Sequence, residues 1–142
     1  MSVMMARVPR AEIARLISTH VAPSLDTIQL RRFEQFVLCS QHIWSCTIRG
    51  EFIGMWGTIP PTLLSDHTYL WVHTNEAVAG HTFQFIRHSQ LAIAEILEEW
   101  PVVHGHAVAG AEKSMRWLKW LGAEFGEPEG KLIPFVIRRK DG

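Results

Sequence analysis

The stretch HTYLWVHTNEAVAGH, residues 67–81, decides the predicted fold. Its first eight residues are rich in aromatic and β-branched side chains, which favour a β-strand. The longest helical pattern of the chain then runs from about residue 80 to residue 100, where Pro101 blocks its continuation. Residues 75–80 therefore form a helix start, and a helix start attracts anions because its N–H groups point outward.

Two helices are predicted before this strand. The first begins at Pro9, because proline is tolerated in a first helical turn. The second begins at Ser24 or at Asp26, and either side chain can cap it. The first ten residues contain two arginines and no long apolar run, a pattern that does not match a secretory signal peptide.

The stretch HIWSCTIRGEFIGMWGTI, residues 42–59, predicts two strands joined by a turn at Arg49 and Gly50. Gly54 and Gly57 would weaken a regular strand. They indicate a bulge or a close approach of another backbone.

Three further elements follow the long helix. VVHGHAV, residues 102–108, predicts a strand, and AEKSMRWLKWL, residues 111–121, predicts a helix that ends at Gly122. LIPFVIRR, residues 132–139, predicts a last strand, and a short strand is expected around Glu124 and Phe125. The order is α-α-β-β-β-α-β-α-β(-β), that of an α/β domain with a mixed sheet, and we expect one domain over residues 1–142.

Composition excludes several classes of protein. Of the 142 residues 47% are hydrophobic and 20% are charged, which indicates a globular chain. Lys+Arg and Asp+Glu number 14 each, without the basic surplus of a nucleic-acid-binding protein. No apolar run reaches the roughly 18 residues of a membrane span. The two cysteines match no redox or zinc motif, so we expect them to be reduced, in a protein of the cytoplasm.

The order of elements resembles the GNAT acetyltransferase fold, a mixed sheet with helices on both faces. The segments YLWVHT, RWLKWLGAEF and LIPFVIRR also resemble the small GNAT-like internal virion proteins of short-tailed bacteriophages. The first resemblance implies binding of acetyl-coenzyme A. The second implies a minor virion component in the host cytoplasm or the virion interior, with other virion proteins as partners. We expect neither nucleic acid nor membrane as a partner, because the chain has no basic surplus and no apolar run of membrane-spanning length.

The resemblance places a cofactor loop at the helix start, and only Gly80 fits its glycine pattern well. Asn75 stands where the family has a basic or amide residue, Val78 replaces the first glycine, and Glu76 adds a negative charge. The residues expected to hold coenzyme A, if it binds, are Thr74, Asn75, Val78, Ala79, Gly80 and His81.

Proton chemistry is the weaker part of the resemblance. The family's tyrosine acid would stand at position 118, which is leucine, and its asparagine would stand at position 111, which is alanine. His73, at the end of the central strand, is the candidate general base, since its ordinary pKa suits that role. Glu51 and Asp66 are looser candidates.

His104 and His106 are two residues apart and face the same side of a strand. We interpret them as ordinary polar or packed histidines and expect no metal site. Trp117 and Trp120 are interpreted as core residues, with a tryptophan surface that docks on another protein as the alternative.

Three hypotheses remain open. The first is a phage-type GNAT-fold protein that acts by binding, with weak or no acetyltransferase chemistry. The second is an active acetyl-coenzyme A-dependent N-acetyltransferase that acts on an amine of a small molecule or a protein. The third is an unrelated α/β binding module.

Overall fold

The computed structural model describes residues 3–62 and 64–139, which form seven strands and four α-helices. The strands are β1 (Val3–Arg7), β2 (His42–Ile48), β3 (Glu51–Ile59), β4 (His67–Thr74), β5 (Val102–Val108), β6 (Glu124–Phe125) and β7 (Leu132–Arg138). The helices are α1 (Arg10–Leu16), α2 (Thr27–Cys39), α3 (Thr82–Glu99) and α4 (Glu112–Trp120), and a 3₁₀ turn (Glu76–His81) precedes α3.

The strands form one mixed sheet in the order β1-β2-β3-β4-β5-β7-β6. The predicted α/β class with a mixed sheet is therefore confirmed. Within the described residues, no helix combines the length and the apolar character needed to cross a bilayer. The chain folds as two compact units, and the expectation of one domain over the whole chain stays a prediction.

The first unit consists of residues 3–59 and 71–88. The predicted hairpin is confirmed, since β2 and β3 pair antiparallel around the turn at Arg49 and Gly50, both of which have positive φ. The register shifts between Cys46 and Thr47, and Gly54 lies opposite Cys46. The predicted irregularity is therefore a β-bulge beside a glycine.

Strand β1 is absent from the predicted order, and its omission is an error. It pairs antiparallel with β2, from Val3 opposite Ile48 to Arg7 opposite Trp44. Its sequence VMMAR has only one β-branched residue, and alanine is depleted in strands. This edge strand therefore forms because it pairs with β2, since its own residues have little preference for a strand.

In the first unit, a ring contact and a hydrogen bond connect α2 and the residue that follows it to β4. Asp26, one of the two predicted caps, starts α2 in a capping box with Gln29. Phe33 of α2 meets Trp71 edge to face at 5.2 Å. The Trp71 indole N–H donates to the Ser40 hydroxyl at 2.7 Å. A buried tryptophan is tolerated here because its one polar atom has a partner.

The second unit consists of residues 60–62, 64–70 and 89–139. The N-terminal half of β4 pairs parallel with β5, and β5 pairs antiparallel with β7. Gly105 is required in β5, because a Cβ there would lie 2.7 Å from both the Leu70 carbonyl oxygen and the Phe135 ring. The expected short strand is β6, paired with β7.

The long helix has the predicted period, and its buried face matches the predicted one only in part. The spacing of its apolar residues predicts one buried stripe, widened by Leu91 and Ile96: Phe83, Ile86, Ile93, Ala94 and Leu97. Ile93 and Ile96 are buried as predicted, whereas Phe83 and Leu91 are 73% and 67% exposed. The residues that are buried are spaced by four, four and three positions: Phe85, Ser89, Ile93 and Ile96. Apolar residues occur on several sides of α3, so periodicity alone does not select the face.

Helix α4 gives the two tryptophans different environments. Leu118 is its buried residue. The Trp117 indole N–H donates to the Ser89 hydroxyl at 2.9 Å. Trp120 is 50% exposed, so the interpretation of both tryptophans as core residues is wrong for Trp120. Gly122 ends the helix with a φ of 99°, as predicted.

Candidate functional site

The junction from β4 to α3 is organised by Asn75. Its backbone N–H donates to Ile53, and its side-chain amide donates to the Phe52 carbonyl at 2.9 Å. Its side-chain oxygen accepts from the Ala77 N–H at 3.0 Å. Asn75 therefore joins β3 to the 3₁₀ turn and caps that turn.

The capping leaves fewer free donors at the helix start. The Ala77 N–H is bonded to the Asn75 side chain, and the Val78 N–H is bonded to the Asn75 carbonyl at 3.2 Å. These are two of the early N–H groups that an anion would otherwise meet. The Glu76 side chain, to which we assigned an unfavourable charge, lies outside the described part of the structure.

Residues at both ends of the junction are open to solvent. Thr74, Ala79 and Gly80 are exposed, and a Cβ added to Gly80 would meet no atom within 4 Å. The Nε2 atom of His81 lies 3.0 Å from the Glu51 carboxylate. Gly80 is thus a place where a ligand can approach the backbone without meeting a side chain.

His73, the candidate base, packs beneath α2. Its ring meets Phe33 edge to face at 5.5 Å, and its Nε2 atom is buried without a hydrogen-bond partner among the described residues. Burial lowers the pKa of His73 below its ordinary 6.5. Burial therefore favours the neutral ring and opposes the protonated form that a general base must take up.

The looser base candidates both have partners. Glu51 is the partner of His81. Asp66 lies 3.1 Å from His67, and this hydrogen bond lowers the pKa of Asp66. An ionised aspartate of lowered pKa is a weak proton acceptor.

Two positions at which the resemblance implies a tyrosine and an asparagine have apolar residues instead. Leu118 is buried in α4. Ala111 stands before the first residue of α4 and gives no side-chain cap. Neither side chain can donate a proton to a departing thiolate.

His104 and His106 face the same side of β5, as predicted. Both rings lie against Tyr69, with centroids at 5.5 and 5.7 Å. Sequence reasoning treated the two histidines without Tyr69, which lies on the neighbouring strand. In residues 3–62 and 64–139, no three His, Cys, Asp or Glu side chains are arranged to hold a metal ion.

Comparison with known proteins finds likeness in structure alone. No family model matches the sequence, and no curated protein matches it. Among solved structures, an IAA acetyltransferase from Bacillus cereus has a TM-score of 0.67 at 12% identity, covering 97% of this chain and 100% of that one.

Two further solved structures, an acetyltransferase and a GNAT domain, are similar to this chain to about the same degree. A ribosomal-protein-alanine N-acetyltransferase from Brucella melitensis has a TM-score of 0.66 at 11% identity, over 96% of this chain and 99% of that one. The GNAT domain of PAT from S. lividans has a TM-score of 0.63 at 14% identity, over 96% and 90%. The chain has the fold of the GNAT acetyltransferases.

Proposed function

We propose that this protein binds acetyl-coenzyme A and transfers the acetyl group to an amine. The observation that carries the proposal is the likeness of fold, which extends over nearly all of this chain and all of the acetyltransferase from Bacillus cereus. Fold alone does not settle function, so the proposal needs the residues as well.

The exposure of residues in the junction after β4 supports binding of the coenzyme there. Thr74, Ala79 and Gly80 are exposed, and no side chain fills the space beside Gly80. The positive end of the α3 dipole lies in this region and favours a phosphate. Asn75, Val78 and His81 complete the proposed binding segment, with Asn75 holding the turn in shape.

The reaction forms a bond between the amine nitrogen and the acetyl carbonyl carbon, and breaks the bond from that carbon to sulfur. The amine proton passes to a base, for which His73 is the first candidate. The thiolate leaves without a donor at position 118 and takes its proton from solvent. Most of the rate then depends on the positioning of the amine beside the thioester.

Thermal unfolding with acetyl-coenzyme A tests binding. A ligand at a hundred times its Kd stabilises the folded state by about 2.7 kcal/mol, and the Tm rises accordingly. We expect Gly80→Leu to abolish the rise, because its side chain occupies the open space. Ala94→Leu, at an exposed position of α3, is the matched control and should keep the rise. An unchanged wild-type Tm at millimolar ligand contradicts the proposal.

Turnover is tested by mass spectrometry of a peptide with a free N-terminal alanine and of free lysine, each incubated with acetyl-coenzyme A. The expected product is heavier by one acetyl group. Transfer that requires the protein, and that is lost in Gly80→Leu, supports the proposal.

A second candidate is a protein that acts by binding alone, as a minor internal or assembly-associated virion component. Two observations favour it over catalysis: Asn75 already occupies two donors of the helix start, and Leu118 is apolar and buried. The phage role itself is supported only by the resemblance of YLWVHT, RWLKWLGAEF and LIPFVIRR to segments of the phage proteins. Co-purification with phage particles, together with no acetyl transfer, would favour this candidate.

A further inference from the structure

Four ring side chains of the second unit lie in contact on one face of β4 and β5. The strands pair parallel with Tyr69 opposite His104, and residues two positions apart on a strand share a face. The ring centroid of His104 lies 5.4 Å from that of His67 and 5.5 Å from that of Tyr69. On its other side, Tyr69 lies 5.7 Å from His106. We call these four side chains the ring cluster: His67, Tyr69, His104 and His106.

Both end histidines of the ring cluster have an acidic neighbour. The Nδ1 atom of His67 lies 3.1 Å from the Asp66 carboxylate, and the Nε2 atom of His106 lies 3.6 Å from that of Glu129. The other ring nitrogen of His106 lies 3.1 Å from the Tyr69 hydroxyl. A positive charge on either end histidine is therefore balanced by a carboxylate.

His104, in the middle of the cluster, is poorly placed to carry a positive charge. Its Nε2 atom is buried without a hydrogen-bond partner among residues 3–62 and 64–139. Burial, and then the neighbouring His67 and His106, lower the pKa of His104 below its ordinary 6.5. A protonated His104 would combine a buried N–H group that lacks an acceptor with two neighbours that also become positive in acid.

The remaining titratable groups near His104 do not supply a counter-charge. On the far side of β5, Arg138 of β7 lies opposite Val102 and 3.9 Å from Glu124 of β6, so these two charges largely balance each other. Burial raises the pKa of Tyr69, so its hydroxyl stays neutral in acid. Acid therefore adds positive charge to the cluster without adding negative charge beside its middle ring.

The strand pairing that carries the ring cluster is short. β4 and β5 pair over three residue pairs, from His67 with Val102 to Tyr69 with His104. Three of the four rings belong to residues of these pairs. Repulsion between charged rings therefore acts directly on a short run of backbone hydrogen bonds.

We propose that the ring cluster is an acid-sensitive switch, which keeps β4 and β5 paired while its histidines are neutral and loosens that pairing when His104 is protonated. The inference concerns the second unit alone and does not depend on acetyl transfer. When β4 and β5 separate, His104 meets water and takes up a proton at its ordinary pKa near 6.5, which the paired strands oppose. Acid therefore favours separation below about pH 6.5, and the pairing is kept at higher pH.

Amide hydrogen exchange at about pH 7.5 and about pH 5.5, corrected for the intrinsic exchange rate, measures the loosening. We expect the protection of the amides in the β4–β5 pairs to fall several-fold at the lower pH, with about 10-fold as the limit for one proton. The amides of the β2–β3 pairs, in the first unit, should lose less.

Substitutions assign the loss of protection to the cluster. In His104→Gln the β4–β5 amides should keep nearly the same protection at both pH values, because the ring that takes up the proton is gone. His88→Gln is the matched control, since it removes a histidine of the first unit. This control should lose as much β4–β5 protection in acid as the wild type does.

A second measurement leaves His104 in place. An NMR titration of the histidine-labelled protein gives the midpoint at which the His104 ring takes up its proton. We expect that midpoint to lie below pH 6.5 in the wild type and to rise in the double variant His67→Gln, His106→Gln, which lacks both neighbouring charges. The rise separates the effect of the cluster from that of burial alone.

The outcomes decide for or against the switch. Equal losses in the β2–β3 and β4–β5 pairs overturn it, because acid then unfolds the protein as a whole. A loss that persists in folded His104→Gln overturns it as well. If His104→Gln does not fold, the titration decides: an unchanged His104 midpoint in the double variant overturns the switch, and a raised one supports it.

Discussion

The side-chain amide of Asn75 donates a hydrogen bond to the carbonyl oxygen of Phe52 at 2.9 Å. The same side chain caps the 3₁₀ turn through the Ala77 N–H. One residue thus ties the end of the central strand to its neighbour and sets the start of α3.

Asn75→Ala removes both hydrogen bonds and leaves the Phe52 carbonyl and the Ala77 N–H without these partners. Since the Phe52 contact is partly buried, we expect the free energy of unfolding to fall by about 1–3 kcal/mol. Urea unfolding measures the change. Gln29→Ala, which removes an exposed side-chain bond to the backbone of Asp26, is the control and should lower stability by less. Equal losses in the two variants would contradict this account of Asn75.

Gly54 and Gly80 should respond in opposite ways to alanine. A Cβ on Gly54 would lie 2.5 Å from the carbonyl oxygen of His73, a backbone atom that cannot move away alone. We expect Gly54→Ala to destabilise the protein by about 1–3 kcal/mol. In Gly80→Ala the added Cβ would have no atom within 4 Å. Because alanine also reduces the backbone freedom of the unfolded chain, the free energy of unfolding of this variant should equal or exceed that of the wild type. Denaturant midpoints compare the pair, and a stable Gly54→Ala protein would refute the close approach.

Stability should fall as the pH drops through the ordinary histidine pKa. Burial lowers the pKa of His73 in the folded state, so below pH 6.5 the unfolded chain binds a proton that the native chain does not. The free energy of unfolding therefore decreases with acidity, until the pH is below the folded pKa. His104, whose pKa is also lowered by burial, acts with the same sign.

The test compares unfolding at about pH 7.5 and about pH 5.5, on either side of the ordinary pKa. His73→Gln and His104→Gln should each lose less stability between the two pH values than the wild type does. The double variant should lose least. A wild-type loss that persists in full in the double variant would assign the pH dependence to other groups.

The two cysteines should differ in reactivity. Both are free, Cys39 is exposed and Cys46 is buried. Burial raises the pKa of Cys46 to about 11, so almost none of it is thiolate at pH 8. With a thiol reagent we expect one fast equivalent from Cys39 and a second only after unfolding. The fast phase should vanish in Cys39→Ser, and a fast phase that remains there would contradict the burial of Cys46.

Much of the fold follows from local patterns. The hairpin of β2 and β3, the strand β4 and the helix end at Gly122 each rest on neighbouring residues: a turn sequence, a β-rich run, a glycine at positive φ. Asp26 and Ser24 were both possible caps, and the side chain of Asp26 bonds to Gln29 in the structure. Ser24 instead donates to the Val21 carbonyl at 2.9 Å.

The candidate site was only partly predictable. Its place at the β4–α3 junction is what the resemblance implies, and Gly80 was predicted as the residue there that fits the family's glycine pattern well. The sequence did not reveal that the Asn75 side chain would bond inside the junction, because an asparagine at a helix start can face either the turn or a ligand. His73 was expected at the end of the central strand, and the structure packs its ring against Phe33, a contact that the sequence alone does not predict.

The sequence by itself determined the order of most elements, the balance of charge and the residues that start and end helices, since these depend on interactions over a few positions. Only the tertiary structure decided the strand β1, the buried face of α3 and the contact of Tyr69 with His106, which lie 37 positions apart. Such features depend on which strands pair and in which register, and that choice comes from the packing of distant segments.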